Sequence, residues 1–143
     1  MKIEILPKIM PKIYIDQGHN PEPPNTGAER DGLREQDITY RVGQELATLL
    51  RRSGNWDVRL SRPTPETLLG TSNSSSLRAR TTEANNWGAD YFISIHTNAS
   101  LDPSANGVEA FAYSRPSRAF SLGEDIVNSI SDITGLSDRG MKV

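Results

Sequence analysis

The sequence contains no cysteine, which excludes a disulfide framework and thiolate metal ligands and leaves His, Asp and Glu as the strong ligand types. It has two histidines, His19 and His96. It also lacks an excess of either charge: 16 basic against 18 acidic residues give a net charge of −2, and no basic stripe is present to attract nucleic acid or a membrane surface. No apolar run approaches the ~20 residues of a membrane span. The opening residues, Met1 to Met10, interleave Lys2, Glu4 and Lys8 with apolar residues and so lack the uninterrupted stretch of a secretory leader. Neither nucleic acid nor membrane is therefore expected as a partner, and the oligomeric state is left open.

What is present is the alternation of an α/β domain. With 143 residues one core suffices, burying roughly two-thirds of the unfolded surface. Lys12 to Asp16 (KIYID) sets Ile13 and Ile15 around Tyr14 and runs into Gln17-Gly18, a short strand ending in a loop. From His19 to Gly32 the chain is rich in Pro, Asn and Gly and is expected to be irregular. Ile38, Val42, Leu46, Leu49 and Leu50 recur at helical steps, predicting a helix from about Glu35 to Arg52 closed by Ser53-Gly54. Trp56 to Leu60 reads as a strand, and Pro63 to Ser76 as a polar, mobile excursion. Ser76 is expected to cap a second helix running to Trp87 and stopped by Gly88. Tyr91 to Ile95 (YFISI) suits a strand buried on both faces, with His96 at its end.

After the loop Thr97 to Asn106, Gly107 to Tyr113 gives another strand, and Leu122, Ile126, Val127, Ile130 and Ile133 mark a third helix ending at Gly135. Apolar character returns at Gly140 to Val143, as if another strand were starting. The expectation is a three-layer fold: a mostly parallel twisted sheet with helices on its faces, the strands at Ile13, Val58, Ile93 and Val108 sharing one sheet. Trp56 and Trp87 border regular elements and read as packing residues.

Each histidine directly follows a predicted strand, on the side where loops of an α/β sheet build sites. A lone strand-end His is commonly structural; two of two at equivalent ends point to a shared site. Glu35 opens the strongest helix just beyond the loop that carries His19. A carboxylate in a first helical turn is also favoured by the dipole alone. Two imidazoles and one carboxylate with a fourth position open form a recurring catalytic zinc arrangement. Asn98 can offer its amide to a ligand or hold its own loop, and Asp16 can orient a ligating imidazole or simply end its strand.

Six segments carry a family resemblance: Ile13 to Asn20 (IYIDQGHN), Gly32 to Asp37 (GLREQD), Arg80 to Asn85 (RTTEAN), Ala89 to Ser100 (ADYFISIHTNAS), Gly107 to Ala110 (GVEA) and Gly135 to Val143 (GLSDRGMKV). In that order and over nearly the whole chain, they resemble the zinc-dependent N-acetylmuramoyl-L-alanine amidases, whose fold is the phosphorylase/hydrolase-like α/β arrangement. The resemblance implies Zn2+ held by His19, Glu35 and His96. It also implies hydrolysis of the amide joining N-acetylmuramic acid to L-alanine in peptidoglycan, at the bacterial cell wall, by a secreted or phage-delivered protein (an autolysin or endolysin). Gln17 and Asn20 depart from the family's first motif, a difference that touches loop shape rather than a ligand.

The family's catalytic Glu lies well downstream of the GL-DRG segment, so the general base is expected beyond Val143, and residues 1–143 are expected to be an amidase catalytic domain incomplete at its C-terminus. Glu109, on the strand after the second His, is the candidate base within the chain, against the favoured reading of a strand or outer carboxylate. The alternative function is a non-catalytic zinc-containing module that binds peptidoglycan; a metallopeptidase would share the same ligands.

Overall fold

The computed structural model describes residues 10–143; the residues before them, most of the stretch inspected for a leader, lie outside the described part. Two compact units divide the chain, one through Ala99 and one from Ser100.

In the first unit, strand β1 (Lys12–Gln17) is followed by a short hairpin, β2 (Glu29–Arg30) and β3 (Leu33–Arg34), then helix α1 (Glu35–Ser53), β4 (Asp57–Leu60), α2 (Asn73–Trp87) and β5 (Tyr91–Ile95). The sheet order is β4-β1-β5, with both pairings parallel. β1 is thus the central strand, with Ile13 opposite Val58 and Tyr91, and Ile15 opposite Leu60 and Ile93. Burial of Ile13, Ile15, Val58 and Leu60 with Ala47 of α1 makes the core, each larger apolar side chain contributing about 1.5–3 kcal/mol. Because side chains alternate along a strand, Tyr14 and Asp16 face the other way. There Tyr14 donates a hydrogen bond to Glu83 of α2 (2.8 Å) and stacks on Phe92 at 5.6 Å. Helices therefore cover both faces of the sheet, as the α/β reading expects.

α1 ends where expected, at Gly54 in the left-handed region (φ 67°), but the face it buries is turned from the one that periodicity suggested. Glu35, Gln36, Thr39, Gly43 and Ala47 are buried, Leu46 and Leu50 pack partly against the core, and Val42 and Leu49 are 47% and 63% exposed. The cause is close approach: a Cβ on Gly43 would overlap the side chain of Gln17, so α1 meets the sheet through its small residues. α2 starts earlier than expected. Ser72 caps it in a reciprocal capping box with Ser75, and Ser76 is instead a buried residue inside the helix whose hydroxyl accepts from Asn25 (3.0 Å).

The strand β5 is not buried on both faces, since Phe92 and Ser94, which share one face, are exposed, Phe92 by 42%. The excursion between β4 and α2 is anchored, with the Leu69 backbone bonded to Asn20 through both its N–H and its carbonyl.

The second unit is a βαβ turn of chain: β6 (Val108–Phe111), α3 (Arg118–Thr134) and β7 (Asp138–Lys142). β6 pairs in parallel with β7, so the single sheet expected for the four strands is two separate sheets among the described residues. α3 buries Phe120, Gly123 and Val127. A Cβ on Gly123 would lie 2.5 Å from the Met141 sulfur, which fixes how near the helix runs to its strands. The apolar return at the chain's end is this last strand, with a register shift against β6 at which Gly140 takes φ 74°.

Candidate functional site

The carboxyl end of the parallel sheet delivers two of the three site residues. β1 runs through Gln17 into Gly18 and His19, and β5 ends at Ile95 immediately before His96. The Gly18 N–H donates to the Ile95 carbonyl (3.0 Å), extending the pairing past both strands so that the two histidines emerge side by side. Their rings meet edge to face, with centroids 4.8 Å apart. The third residue, Glu35, is the first of α1, whose preceding residue makes no side-chain cap; a carboxylate there is favoured by the helix dipole.

Three atoms converge. His96 Nδ1 lies 3.1 Å from His19 Nε2 and 3.2 Å from Glu35 Oε1, and His19 Nε2 lies 3.2 Å from the same oxygen. Two ring nitrogens and a carboxylate oxygen at these mutual distances crowd their lone pairs unless a cation or protons lie between them. Tetrahedral bonds of about 2.0–2.1 Å place neighbouring ligand atoms about 3.3 Å apart, so the donor set fits a metal ion, and the three residues form a cluster able to hold one. The second nitrogen of His19, Nδ1, is buried and has no hydrogen-bond partner among the described residues. The side chains of Glu35 and His19 are 7% and 18% exposed and that of His96 45%, which makes the His96 side the approach for solvent or a ligand.

Glu35 is held ionised. Burial pushes its carboxyl up, but the Thr97 N–H, the Ala28 N–H, the nearby His19 and the His96 ring together outweigh burial and bring it below the ordinary glutamate range. The Thr97 bond reaches Oε1 at 2.8 Å and the Ala28 bond reaches Oε2 at 3.2 Å. Two glycines leave room for this packing. A Cβ on Gly18 would sit 2.5 Å from His96 Cε1, and one on Gly27 would sit 2.7 Å from Glu35 Cβ and 2.9 Å from His19 Cδ2.

His19 has φ 69°, a left-handed backbone that costs a non-glycine residue about 1–2 kcal/mol. Polar groups buried beneath it hold that shape. Asn20, fully buried, donates to the carbonyls of Pro24 (2.7 Å) and Leu69 (2.9 Å), so the departure at Asn20 does bear on loop shape. Gln17 donates to the Tyr40 carbonyl and accepts from the Arg62 N–H. Thr39 donates to the Gly18 carbonyl at 2.7 Å. Asp16 touches no imidazole: it accepts from Arg80 at 2.6 Å and from Ser94 at 2.8 Å.

Asn98 is exposed, two residues past His96. Glu109 lies on β6 in the second unit, its side chain 10% exposed and its Oε2 paired with Arg139 (3.1 Å) and Lys142 (3.4 Å). Trp56 packs on the core, and the Trp87 ring carries the Arg59 guanidinium at 4.7 Å, in keeping with structural roles. Sequence reasoning missed the two buried arginines, Arg62 and Arg80, and the glycine cradle; the one signal for any of them was the presence of Arg80 in the RTTEAN segment and of Gly18 in IYIDQGHN.

The family profile described as N-acetylmuramoyl-L-alanine amidase matches residues 13–143. Among curated relatives, the N-acetylmuramoyl-L-alanine amidase CwlM of Bacillus licheniformis is 37% identical over 135 residues, covering 93% of this chain and 49% of the relative. The sporulation-specific N-acetylmuramoyl-L-alanine amidase of Bacillus subtilis is 33% identical over 135 residues, covering 93% and 48%. The chain thus spans about half the length of these relatives. Among solved structures, the N-acetylmuramoyl-L-alanine amidase of Clostridium difficile 630 superposes with a TM-score of 0.77 at 25% identity, over 92% of this chain and 68% of that one. A parallel sheet with both strand-end histidines meeting Glu35, together with a profile match over nearly the whole chain, places it in the N-acetylmuramoyl-L-alanine amidase family.

Proposed function

We propose that the chain is the zinc-binding part of a peptidoglycan hydrolase that cleaves the amide between the lactyl group of N-acetylmuramic acid and L-alanine. The observation that carries this reading is the triangle of His19 Nε2, Glu35 Oε1 and His96 Nδ1, with sides of 3.1 to 3.2 Å. His19, Glu35 and His96 would hold zinc, the imidazoles through the nitrogens that face each other. Bound there, zinc supplies Lewis acidity, polarising a carbonyl oxygen and acidifying water towards a pKa of about 7.

The residues of the chain contribute binding and orientation. Glu35 stays anionic because backbone N–H groups hold both its oxygens, and the exposed edge of His96 would leave that side of the site accessible to substrate. In the overall reaction the water oxygen bonds to the acyl carbon as the C–N bond breaks. One water proton passes to the nitrogen, which leaves as the α-amine of L-alanine. Asn98 is proposed to offer its amide to the stem peptide from the segment beyond His96. Glu109 is assigned to the scaffold of β6 and β7, because two cations already hold its carboxylate. Action at the cell wall follows from the substrate.

The test is digestion of purified peptidoglycan with zinc, with chelator, and with His96→Ala. Extended at its C-terminus by the segment that follows in the Bacillus licheniformis relative, the chain is expected to release new alanine amino termini without new reducing ends, an activity abolished by chelator and by the substitution. Peptidoglycan binding with no new amines in zinc would favour a binding module, and new amino termini other than alanine would favour a peptidase.

A further inference from the structure

Two arginines are among the most deeply buried side chains of the molecule, Arg62 and Arg80, each 1% exposed. Among the described residues a single carboxylate, Asp16, is ion-paired with either of them. Burying two cations against one anion costs stability, and apolar residues of similar size commonly serve a core as well or better. The guanidinium groups spend their donors instead on the backbone around the metal ligands. Arg80, from α2, donates through Nη1 to Asp16 (2.6 Å) and the Gln17 carbonyl (2.7 Å), and through Nη2 to the His19 carbonyl (2.8 Å) and Asn20 Oδ1 (3.0 Å). Arg62, just past β4, donates through Nη1 to the Gln36 carbonyl (2.8 Å) and, more weakly, to the His19 carbonyl (3.4 Å). Its Nη2 reaches the Pro65 carbonyl (3.2 Å).

The two groups converge on one atom, the carbonyl oxygen of His19, whose backbone is left-handed. Arg80 ties that oxygen to the end of β1. Arg62 ties it to the first turn of α1, the turn that carries Glu35. We infer that Arg62 and Arg80 are positioning residues that fix His19 against Glu35 by clamping the His19 carbonyl from two sides, an inference that rests on the metal-site reading above. Neither guanidinium touches the donor triangle, so both act through the backbone. A lysine retains the charge but is a single point of donors and cannot span the separate acceptors that each guanidinium fork reaches.

The test is zinc affinity and the visible spectrum of the Co2+-loaded chain for the wild type, Arg80→Lys, Arg62→Lys, Asp16→Asn, His96→Ala and the surface control Arg78→Lys, with folding checked by circular dichroism and urea unfolding. Arg80→Lys and Arg62→Lys are expected to unfold cooperatively, to bind zinc about 10–100-fold more weakly, the range for losing a group that orients a ligand, and to lose the intense absorption of four-coordinate Co2+. Arg78→Lys should match the wild type in both. Where a lysine variant does not fold, Asp16→Asn decides: it keeps an oxygen for Arg80 while removing the charge, and a several-fold loss of affinity in a folded chain supports the clamp. Folded variants with wild-type affinity and spectrum overturn the clamp alone, provided that His96→Ala abolishes binding. A wild type that binds no metal overturns the metal reading and the clamp together.

Discussion

Ala28 and Glu35 exchange hydrogen bonds: the Glu35 N–H donates to the Ala28 carbonyl at 2.9 Å, and the Ala28 N–H donates to Glu35 Oε2 at 3.2 Å. The loop after β1 is thereby closed onto the residue that opens α1, and Gly27, next to Ala28, packs against Glu35 and His19 in the space that a Cβ would fill.

Gly18→Ala and Gly27→Ala are therefore expected to damage the metal site in proportion to its packing. Each new methyl must displace a ring or a carboxylate from a position 2.5 to 2.9 Å away, and overpacking of this kind costs about 1–3 kcal/mol. Calorimetric zinc titration and urea unfolding should show weaker binding and a lower midpoint for both. An unchanged zinc affinity in Gly18→Ala would mean that His96 is free to move away from its place beside Gly18.

Acid should act on Glu35 with a definite sign. Its carboxyl lies below the ordinary glutamate range in the folded chain, so the folded state binds fewer protons than the unfolded one. Its stabilising contribution is complete above the unfolded-state pKa and is lost as pH falls through the depressed folded value. In chelator, the stability difference between the wild type and Glu35→Gln should be constant at neutral pH and shrink once the pH drops below the usual carboxylate range. A difference that grows on acidification would reverse the assignment. With zinc present, acid should also release the metal, since imidazoles ligate only when neutral.

Core energetics distinguish the helix face that is buried from the one that periodicity indicated. Ile15→Ala, at a fully buried position, is expected to cost about 2–5 kcal/mol. Leu49→Ala, at 63% exposure, should stay within about 0.5 kcal/mol of the wild type. Equal losses measured by urea unfolding would show that Leu49 is covered in solution.

The same contrast shows which parts of the molecule could be read from residues. Strand-end positions of His19 and His96 and the first-turn position of Glu35 were legible because strand alternation and helix capping are local rules that side-chain type alone reveals. The limits of α1 were legible for the same reason, through Gly54. Its buried face was not: Gly43 and Ala47 enter the core because they are small, and smallness matters only once the sheet beside them is known. Ser76 and Ser72 are equally good caps by type, and Ser75 completes the box with Ser72 alone. Arg62 and Arg80 gave no sign of burial, because it depends on carbonyls of a loop whose shape follows no period. The split of β6 from the three-stranded sheet was hidden because β7 is its partner, and only the last residues of that strand hinted at it.

Zinc stoichiometry is the most direct measurement on the central claim. The purified chain, stripped of metal and dialysed against zinc at neutral pH, should retain one zinc per chain by elemental analysis, and His19→Ala, Glu35→Gln and His96→Ala should each retain far less while still folding. A wild type that retains none, or a His96→Ala variant that retains as much as the wild type, would contradict the assignment of His19, Glu35 and His96 as the metal ligands.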